Sequence, residues 1–197
     1  MSELNYPFSE AVVRGLRVGE IVHVSGRIFT GRDRLHKYLA EGGACPVSLS
    51  DGAIYHCGPV VVREADGGWR VVAAGPTTSQ REEPYMADVI ADHGVRLIIG
   101  KGGMGPRTQQ ACAAHGCVYL QAVGGAAALL AQRVRRVAGV CFLDEFGPAE
   151  ALWQFDVESF EAVVGIDTRG GNLYTEVEAR AWRRFSEVLG CGKGETR

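Results

Sequence analysis

The chain has 197 residues, of which 46% are hydrophobic and 22% charged, and a formal net charge of −2 at pH 7. This length suffices for one domain with its own core, and the composition is typical of a globular protein. The small negative charge, without a basic run or an aromatic platform, argues against a nucleic-acid-binding surface. No apolar stretch approaches a membrane span of about 20 residues and no signal peptide opens the chain, so we expect a single cytoplasmic domain over residues 1–197.

The first half of the chain has the pattern of a β-rich region. Short strands are expected at 18–25, 54–56, 60–63 and 69–74. Asp-Gly-Gly at 66–68 predicts a hairpin between the last two strands. Residues 26–31 have the composition of a turn, and the spacing of apolar residues in 32–41 predicts a helix with Thr30 as its N-cap. Residues 1–10 show little pattern and are expected to form a lead-in segment.

The second half alternates between the two element types. Helices are expected at 79–93, 106–115, 125–132 and 175–189, and strands at 95–99, 118–121 and 135–142. Such alternation implies a parallel sheet with crossover helices. The predicted fold class is therefore α/β, with a β-rich first half and a parallel α/β second half.

Three junctions between a predicted strand and a helix are rich in glycine, at 75–81, 100–106 and 123–126. The carboxyl ends of parallel strands share one edge of a sheet, where ligands bind. The second junction is not a nucleotide P-loop, because Lys101 is followed by Gly102 where that motif needs serine or threonine. Since glycine lets backbone N–H groups approach an anion closely, we expect this loop to bind a small anion.

Side chains at these junctions have the chemistry to bind a carboxylate. Residues 77–79 supply three hydroxyls, Arg81 follows them, and Lys101 adds a second cation. Capping of a helix is the alternative role for the hydroxyl run. Arg32 lies in the first turn of a predicted helix, against the helix dipole, which indicates either a nearby anion or simple solvent exposure.

The cysteines and histidines show no metal-binding or nucleophilic motif. None of the six cysteines belongs to a CxxC pair, and Cys112 and Cys117 are spaced too widely for a zinc knuckle. We therefore expect buried thiols and no metal or iron–sulfur site in this chain. The five histidines are scattered and are expected to be core or solvated residues. The cysteines lie at positions 45, 57, 112, 117, 141 and 191.

Short motifs along the chain resemble those of one family. In order they are TGRD at 30–33 with His36 and Lys37, GPTTS at 75–79 with Arg81, IGKGGMGP at 99–106, GGAA at 124–127, EFG at 145–147, ALW at 151–153 and Ile166-Asp167. From about residue 15 to about residue 175, this set resembles the β subunit, or C-terminal domain, of class I iron–sulfur fumarate hydratases and the related L-tartrate dehydratases. The resemblance implies the swivelling β/β/α domain fold.

The resemblance also implies how such a chain works. In that family a [4Fe–4S] cluster lies on a separate α subunit or N-terminal domain, one iron acts as a Lewis acid, and the β part closes over the substrate carboxylates. Carried over by motif position, Arg32, Arg81 and Lys101 are expected to form a carboxylate clamp. Thr77 and Thr78 are expected to place hydroxyls at the reacting carbons. Thr77 is the expected catalytic residue near the proton transfer, although a threonine is a weak base that needs activation by its neighbours.

The resemblance leaves the substrate open. The reversible hydration of fumarate to L-malate is the first expectation, and dehydration of L(+)-tartrate is the second. In either case the chain is expected to form a hetero-oligomer with a cluster-bearing α subunit and to bind no cluster itself. A non-catalytic dicarboxylate-binding domain is a third possibility, because its anion-binding residues would be the same.

Overall fold

The computed structural model describes residues 2–189 and has nine strands and seven helices in that part of the chain. The strands are β1 (Ser2–Asn5), β2 (Ile21–Gly31), β3 (Ala53–His56), β4 (Val60–Arg63), β5 (Trp69–Ala73), β6 (Leu97–Gly100), β7 (Val118–Gln121), β8 (Val134–Cys141) and β9 (Leu152–Ile166). The helices are α1 (Glu10–Gly15), α2 (Asp33–Ala40), α3 (Glu83–His93), α4 (Pro106–His115), α5 (Ala127–Ala131), α6 (Leu143–Phe146) and α7 (Leu173–Val188), with a 3₁₀ turn at Ser79–Arg81.

Seven strands form one mixed sheet in the order β1-β2-β3-β6-β7-β9-β8. The first five are parallel to their neighbours, whereas β9 runs antiparallel to β7 and to β8. Strand β9 also pairs with β2 through its other edge, so that Val163 lies opposite both Ile21 and Gln121. The five strands β2, β3, β6, β7 and β9 therefore close into a ring, and β4 and β5 form a separate two-stranded hairpin.

Alternate residues of the parallel strands belong to two different cores, as the two-residue period of a strand requires. Tyr55 and Leu120 belong to a core that also contains Phe155, Phe160 and the neighbouring aromatic residues of β9. Residues offset by one, such as Ile54, belong to a second core with the buried faces of α2, α3 and α4. The parallel strands are thus covered on both sides, which is typical of α/β proteins.

The mixed α/β class predicted from the sequence is confirmed, and the two predicted halves share one sheet. Helix α4 and strands β4 and β7 have the predicted bounds, and most other elements differ from prediction by a few residues. The predicted helix at 79–93 is divided into the 3₁₀ turn and α3. Strand β1 and helix α1 lie in and just after the segment expected to be a lead-in, and the 15-residue strand β9 was not predicted at all.

Two local predictions around β2 are wrong. Residues 26–31, expected to turn, continue the strand after a bulge between Val24 and Gly26, where Gly26 has a φ of 99°. Thr30, expected to cap α2, is buried, donates from Oγ1 to the Ala151 carbonyl (3.1 Å) and accepts from the Trp153 N–H (3.0 Å). It joins β2 to β9, and Arg32 occupies the N-cap position without a capping side-chain bond.

The described cysteines are all free thiols. Cys57, Cys112 and Cys117 are buried, as expected from the sequence, whereas Cys45 and Cys141 are half-buried. Cys191 lies outside the described residues. Within residues 2–189, no helix combines the length and the apolar character needed to cross a bilayer.

Candidate functional site

The carboxyl ends of four parallel strands lie side by side and carry the candidate residues. Arg32 follows β2 directly, His56 ends β3, Lys101 follows β6 and Gln121 ends β7. The strand order β2-β3-β6-β7 brings these four ends to one edge of the sheet. This is the edge at which ligands bind in parallel α/β sheets.

The hydroxyl-bearing loop is held between the ends of β3 and β6. An antiparallel bridge joins Cys57 to Pro76, and a parallel bridge joins Thr78 to Lys101. The Ser79 N–H donates to the Lys101 carbonyl at 2.9 Å. The loop is therefore fixed by backbone contacts at both ends, and Thr78 lies beside Lys101.

Thr77 donates twice to one backbone oxygen. Its N–H lies 2.7 Å and its Oγ1 3.1 Å from the carbonyl oxygen of His56. Since a carbonyl only accepts, the Thr77 hydroxyl proton is committed to it and the Oγ1 lone pairs remain for a ligand. Among residues 2–189, Thr77 Oγ1 has no hydrogen bond to a carboxylate or an imidazole, so its expected catalytic role stays a prediction.

The two arginines share a carboxylate. Arg81 Nη2 lies 2.6 Å from Asp33 Oδ2, and Arg32 Nη2 lies 3.9 Å from the same oxygen. Arg32 Nη1 also lies 3.4 Å from Glu150 Oε1. The side chain of Arg81 is 57% exposed and that of Arg32 is 21% exposed, so Arg81 can reach a ligand in solvent and Arg32 is held in a wall of the site.

Lys101 is the third cation at this edge. Its side chain is half-buried and runs past the third glycine-rich junction, because a Cβ built on Gly124 would lie 3.6 Å from Lys101 Cδ. Lys101 forms no ion pair with any carboxylate in residues 2–189, unlike both arginines. It is thus a cation available to an anionic ligand.

The glycine-rich loop after β6 does not present its backbone to a ligand as the sequence predicts. The N–H groups of Gly102 and Gly103 donate to Gln121 Oε1 (3.1 Å) and to the Tyr119 hydroxyl (3.3 Å). The Gly105 N–H donates to the Glu83 carboxylate at 2.7 Å, and the same carboxylate accepts from two N–H groups in the first turn of α4. Glu83 therefore occupies the anion position at this helix N-terminus, as the helix dipole favours.

The first glycine of that loop is needed for a different reason. A Cβ on Gly100 would overlap the hydroxyl of Ser79 and lie 3.2 Å from His56 Nδ1. Ser79 Oγ is hydrogen-bonded to His56 Nδ1 at 2.9 Å and accepts from the Tyr119 hydroxyl at 3.1 Å. The absent side chain of Gly100 makes room for a buried polar layer beneath the loop.

Sequence reasoning missed that buried layer. His36, His56 and Glu82 lie beneath the exposed site residues, almost without solvent exposure. Burial lowers the pKa of His36 to about 4 and that of His56 well below its usual value. Burial and the nearby Asp33 raise the pKa of Glu82 to about 8. Two sequence features could have indicated that these histidines lie near the site: His56 ends an apolar strand, and His36 follows Arg32 by one helical turn.

All five residues expected from the sequence thus lie at one sheet edge, linked through Asp33, the His56 carbonyl and the Thr78–Lys101 bridge. No group of three or more His, Cys, Asp or Glu side chains in residues 2–189 is arranged to hold a metal ion. The site consists of cations and hydroxyls, which suit anions such as carboxylates.

Comparison with known proteins identifies the family of this chain. A Geobacillus stearothermophilus protein, provisionally named a class I fumarate hydratase, is 47% identical over 93% of this chain, which spans only 35% of that protein's length. A Methanocaldococcus jannaschii protein, provisionally named the β subunit of L(+)-tartrate dehydratase, is 36% identical over 95% of this chain and 100% of its own length. The Escherichia coli L(+)-tartrate dehydratase subunit β is 37% identical over 88% of this chain and 86% of its own length. The family model of the fumarase C-terminus matches residues 2–177, a range that includes every element of the site, and the chain belongs to that family.

Proposed function

We propose that this chain is the carboxylate-binding part of a hydro-lyase that interconverts fumarate and L-malate together with a cluster-bearing α subunit. The observation that carries the proposal is the convergence of Arg32, Arg81 and Lys101 from three separate loops at one sheet edge, beside the hydroxyls of Thr77 and Thr78. Three cations suit a dianion with a carboxylate at each end. The hydroxyls belong to the same loop as Arg81, which is bridged to Cys57 after β3 and to Lys101 after β6, so they would face the carbons between the carboxylates.

The part played by this chain is binding and orientation. A substrate carboxylate would replace Asp33 as the partner of the exposed Arg81 guanidinium, and the unpaired Lys101 would bind the second carboxylate. The lone pairs of Thr77 Oγ1 would accept a hydrogen bond from the substrate, since its proton is held by the His56 carbonyl. Positioning of this kind lowers a barrier by removing the entropy of alignment before the chemical step.

Dehydration of a 2-hydroxy dicarboxylate breaks a C–O bond to a poor leaving group. A [4Fe–4S] cluster on the partner would supply a Lewis acid for the departing oxygen. The described residues of this chain offer no ligand set that fits such a cluster. We therefore infer that the cluster belongs to the α subunit and that the two chains form a hetero-oligomer around the substrate.

The proposal also concerns the architecture. We infer that the mixed sheet with β9 closing against β2 is the swivelling β/β/α fold, and that residues 1–197 form one domain of the C-terminal, or β, type. Parallel strands with α2, α3 and α4 on one side and the long β9 on the other support this inference. A domain that swivels would close the clamp over a substrate bound at the partner.

Dehydration of L(+)-tartrate is the second candidate. It is favoured by the relatives named as tartrate dehydratase β subunits, because the chain spans all or most of their length. The higher identity of the fumarate hydratase relative favours fumarate. A non-catalytic dicarboxylate-binding domain would use the same cations, so only an activity measurement separates it from either enzyme.

The test is reconstitution. The purified chain is assayed anaerobically with fumarate, L-malate and L(+)-tartrate, alone and with the cluster-bearing α chain from the same genome. We expect turnover only with the α chain, loss of turnover after exposure to oxygen, and a higher kcat/KM for L-malate than for tartrate. Turnover by the isolated chain in air would contradict the subunit assignment, and a preference for tartrate would select the second candidate.

A further inference from the structure

Four side chains beneath the clamp hold every unpaired buried side-chain polar atom found in residues 2–189. The atoms are Arg32 Nε, the Nε2 atoms of His36 and His56, and both carboxyl oxygens of Glu82. Buried polar atoms are nearly always hydrogen-bonded in folded proteins. Their concentration at one place, directly beneath a proposed binding site, indicates that they act together.

Contacts join three of these residues to one another and to Ser79, and the backbone of Glu82 joins the same group. His36 Nδ1 donates to the Arg32 carbonyl at 2.8 Å, and the rings of His36 and His56 meet edge to face with centroids 4.9 Å apart. His56 Nδ1 lies 2.9 Å from Ser79 Oγ. The Glu82 N–H donates to the Ser79 carbonyl at 3.0 Å, so Glu82 ends the turn that Ser79 begins.

The protonation state of His36 follows from its partner. A carbonyl oxygen can only accept, so the Nδ1 atom of His36 carries the proton. Because His36 is completely buried, it stays neutral, and its Nε2 atom is then an acceptor in need of a donor. Arg32 has the complementary unpaired group, because its buried Nε–H is a hydrogen-bond donor without an acceptor.

Glu82 can meet both needs if it is uncharged. Its side chain is 1% exposed and neither carboxyl oxygen has a partner, which is very unfavourable for an ionised carboxylate. The nearby Asp33 disfavours ionisation further, and Arg81 and Arg32 offset only part of this effect, so that the pKa is about 8. A neutral carboxylic acid has one O–H donor and one carbonyl acceptor.

We propose that Glu82, as an uncharged acid, is a positioning residue of the clamp that links the Nε–H of Arg32 to the buried imidazoles of His36 and His56 through a bound water molecule. The water would accept from the Arg32 Nε–H and from the Glu82 O–H, and it would donate to His36 Nε2. Polar groups enclosed in this way commonly share a bound water.

The neutral state has a purpose at this site. Asp33 and Glu150 already lie beside the Arg32 guanidinium, and a third ionised carboxylate would compete with the substrate for its charge. An uncharged Glu82 fixes the guanidinium and leaves its charge for the substrate. The charged groups that act on the Glu82 carboxyl are Asp33 and Arg32 at the start of α2 and Arg81 in the 3₁₀ turn. The buried His36 and His56 contact Arg32 and Ser79 of the same cluster.

The inference rests on the proposed function for its kinetic test. In the reconstituted enzyme, KM for L-malate should rise above about pH 8 as Glu82 ionises. Glu82→Gln keeps one donor and one acceptor without a charge, so we expect a kcat/KM near that of the unaltered enzyme at neutral pH and no alkaline rise in KM. Glu82→Ala removes both groups and should raise KM about tenfold or more, with a smaller change in kcat. Glu64→Gln, an exposed carboxylate paired with Arg70 on the hairpin, is the control and should match the unaltered enzyme.

A second measurement on the isolated chain separates failure of this inference from failure of the proposed function. Between the usual carboxyl pKa and about pH 8, the folded chain holds one proton more on Glu82 than the unfolded chain. Stability should therefore fall with rising pH in the unaltered chain relative to Glu82→Gln. Identical pH dependence of unfolding in the two chains would overturn the inference. So would an alkaline rise in KM that is still present in Glu82→Gln, and so would unaltered kinetics in Glu82→Ala. Absence of hydro-lyase activity in the unaltered reconstituted enzyme, together with the expected unfolding difference, would overturn the proposed function alone.

Discussion

Replacement of Arg81 tests the clamp without disturbing the fold. Its guanidinium lies 2.6 Å from Asp33 Oδ2, but the side chain is 57% exposed, so this ion pair contributes only about 0–1 kcal/mol to folding. A carboxylate bound by Arg81 inside a closed active site would form a desolvated pair instead, and truncating one partner of such a pair costs about 2–5 kcal/mol. At about 1.4 kcal/mol per factor of ten, Arg81→Ala should lower kcat/KM by about 30-fold to several thousandfold.

The charge-conserving variant separates geometry from charge. Arg81→Lys keeps the positive charge but loses the planar fork that binds two carboxylate oxygens, so we expect kcat/KM to fall between the values of Arg81→Ala and the unaltered enzyme. The matched control is Arg70→Ala, because Arg70 is 61% exposed and its Nε lies 2.8 Å from Glu64 Oε1. Arg70 lies on the hairpin strand β5, away from the clamp loops.

The assay combines kinetics with thermal unfolding. Steady-state kcat and KM are measured anaerobically for the reconstituted enzyme, and Tm for the isolated variants. For loss of a surface ion pair, Tm should fall by no more than about 4 °C in Arg81→Ala and in Arg70→Ala alike. Near-normal kinetics in Arg81→Ala, or an equal kinetic loss in Arg70→Ala, would refute the assignment of Arg81 to the clamp.

Three further predictions concern the buried layer and the thiols. Gly100→Ala should lower the free energy of unfolding by about 1–3 kcal/mol in chemical denaturation, because the new methyl group overlaps the Ser79 hydroxyl. The control Gly15→Ala has nothing near its Cβ position and should be close to neutral. Equal effects of the two substitutions would contradict the close approach of Ser79 to Gly100. Relative to a His36→Phe variant, the free energy of unfolding should fall as pH drops from 6.5 towards 4, because the unfolded chain protonates His36 in this window and the folded chain does not. An unchanged slope in His36→Phe would exclude His36 as the cause. Burial raises the pKa of the Cys57 thiol to about 12, so Cys57 should react with a thiol reagent at neutral pH only after the chain unfolds. Prompt labelling of Cys57 in the folded chain would show that the thiol is accessible.

The sequence predicts best where a local pattern and its end signals agree. Helix α4 begins with proline at its first position and ends at Gly116, which adopts the left-handed conformation with a φ of 68°, and its predicted bounds are correct. Strand β9 lacks such signals. Its inward-facing residues alternate as far as Val157 and again from Phe160, but Ser159 between them has a φ of 51° and the alternation changes phase there. A strand whose alternation changes phase along its length cannot be recognised from periodicity alone.

The same limit applies to the candidate site. The residue types at the three glycine-rich junctions predict an anion site, because composition alone identifies cations and hydroxyls, and these residues lie at one sheet edge in the structure. Composition does not show that the N–H groups of Gly102 and Gly105 are already bound by Gln121 and Glu83, which lie about 20 residues away in the chain. Composition also does not show that His56 and Glu82 belong to one buried cluster, because the two residues come together only when β3 packs against the 3₁₀ turn in the folded chain.

The carboxylates beside the clamp explain how three cations can be held close to one another before a substrate arrives. Arg32 and Arg81 would repel each other across a site without counter-charges, and Asp33, within 4 Å of both guanidinium groups, offsets that repulsion. A substrate carboxylate must therefore replace Asp33 at Arg81. The gain in binding free energy is the difference between the ion pair of Arg81 with the substrate and its ion pair with Asp33. That difference is small while the site is open to water, since exposed ion pairs are weak. It grows when a partner surface covers the site and removes water from the pair, because the same charges interact more strongly in a less polar medium. Tight substrate binding by this clamp should for that reason require closure against the partner, which agrees with a chain that binds and orients but does not turn over substrate alone.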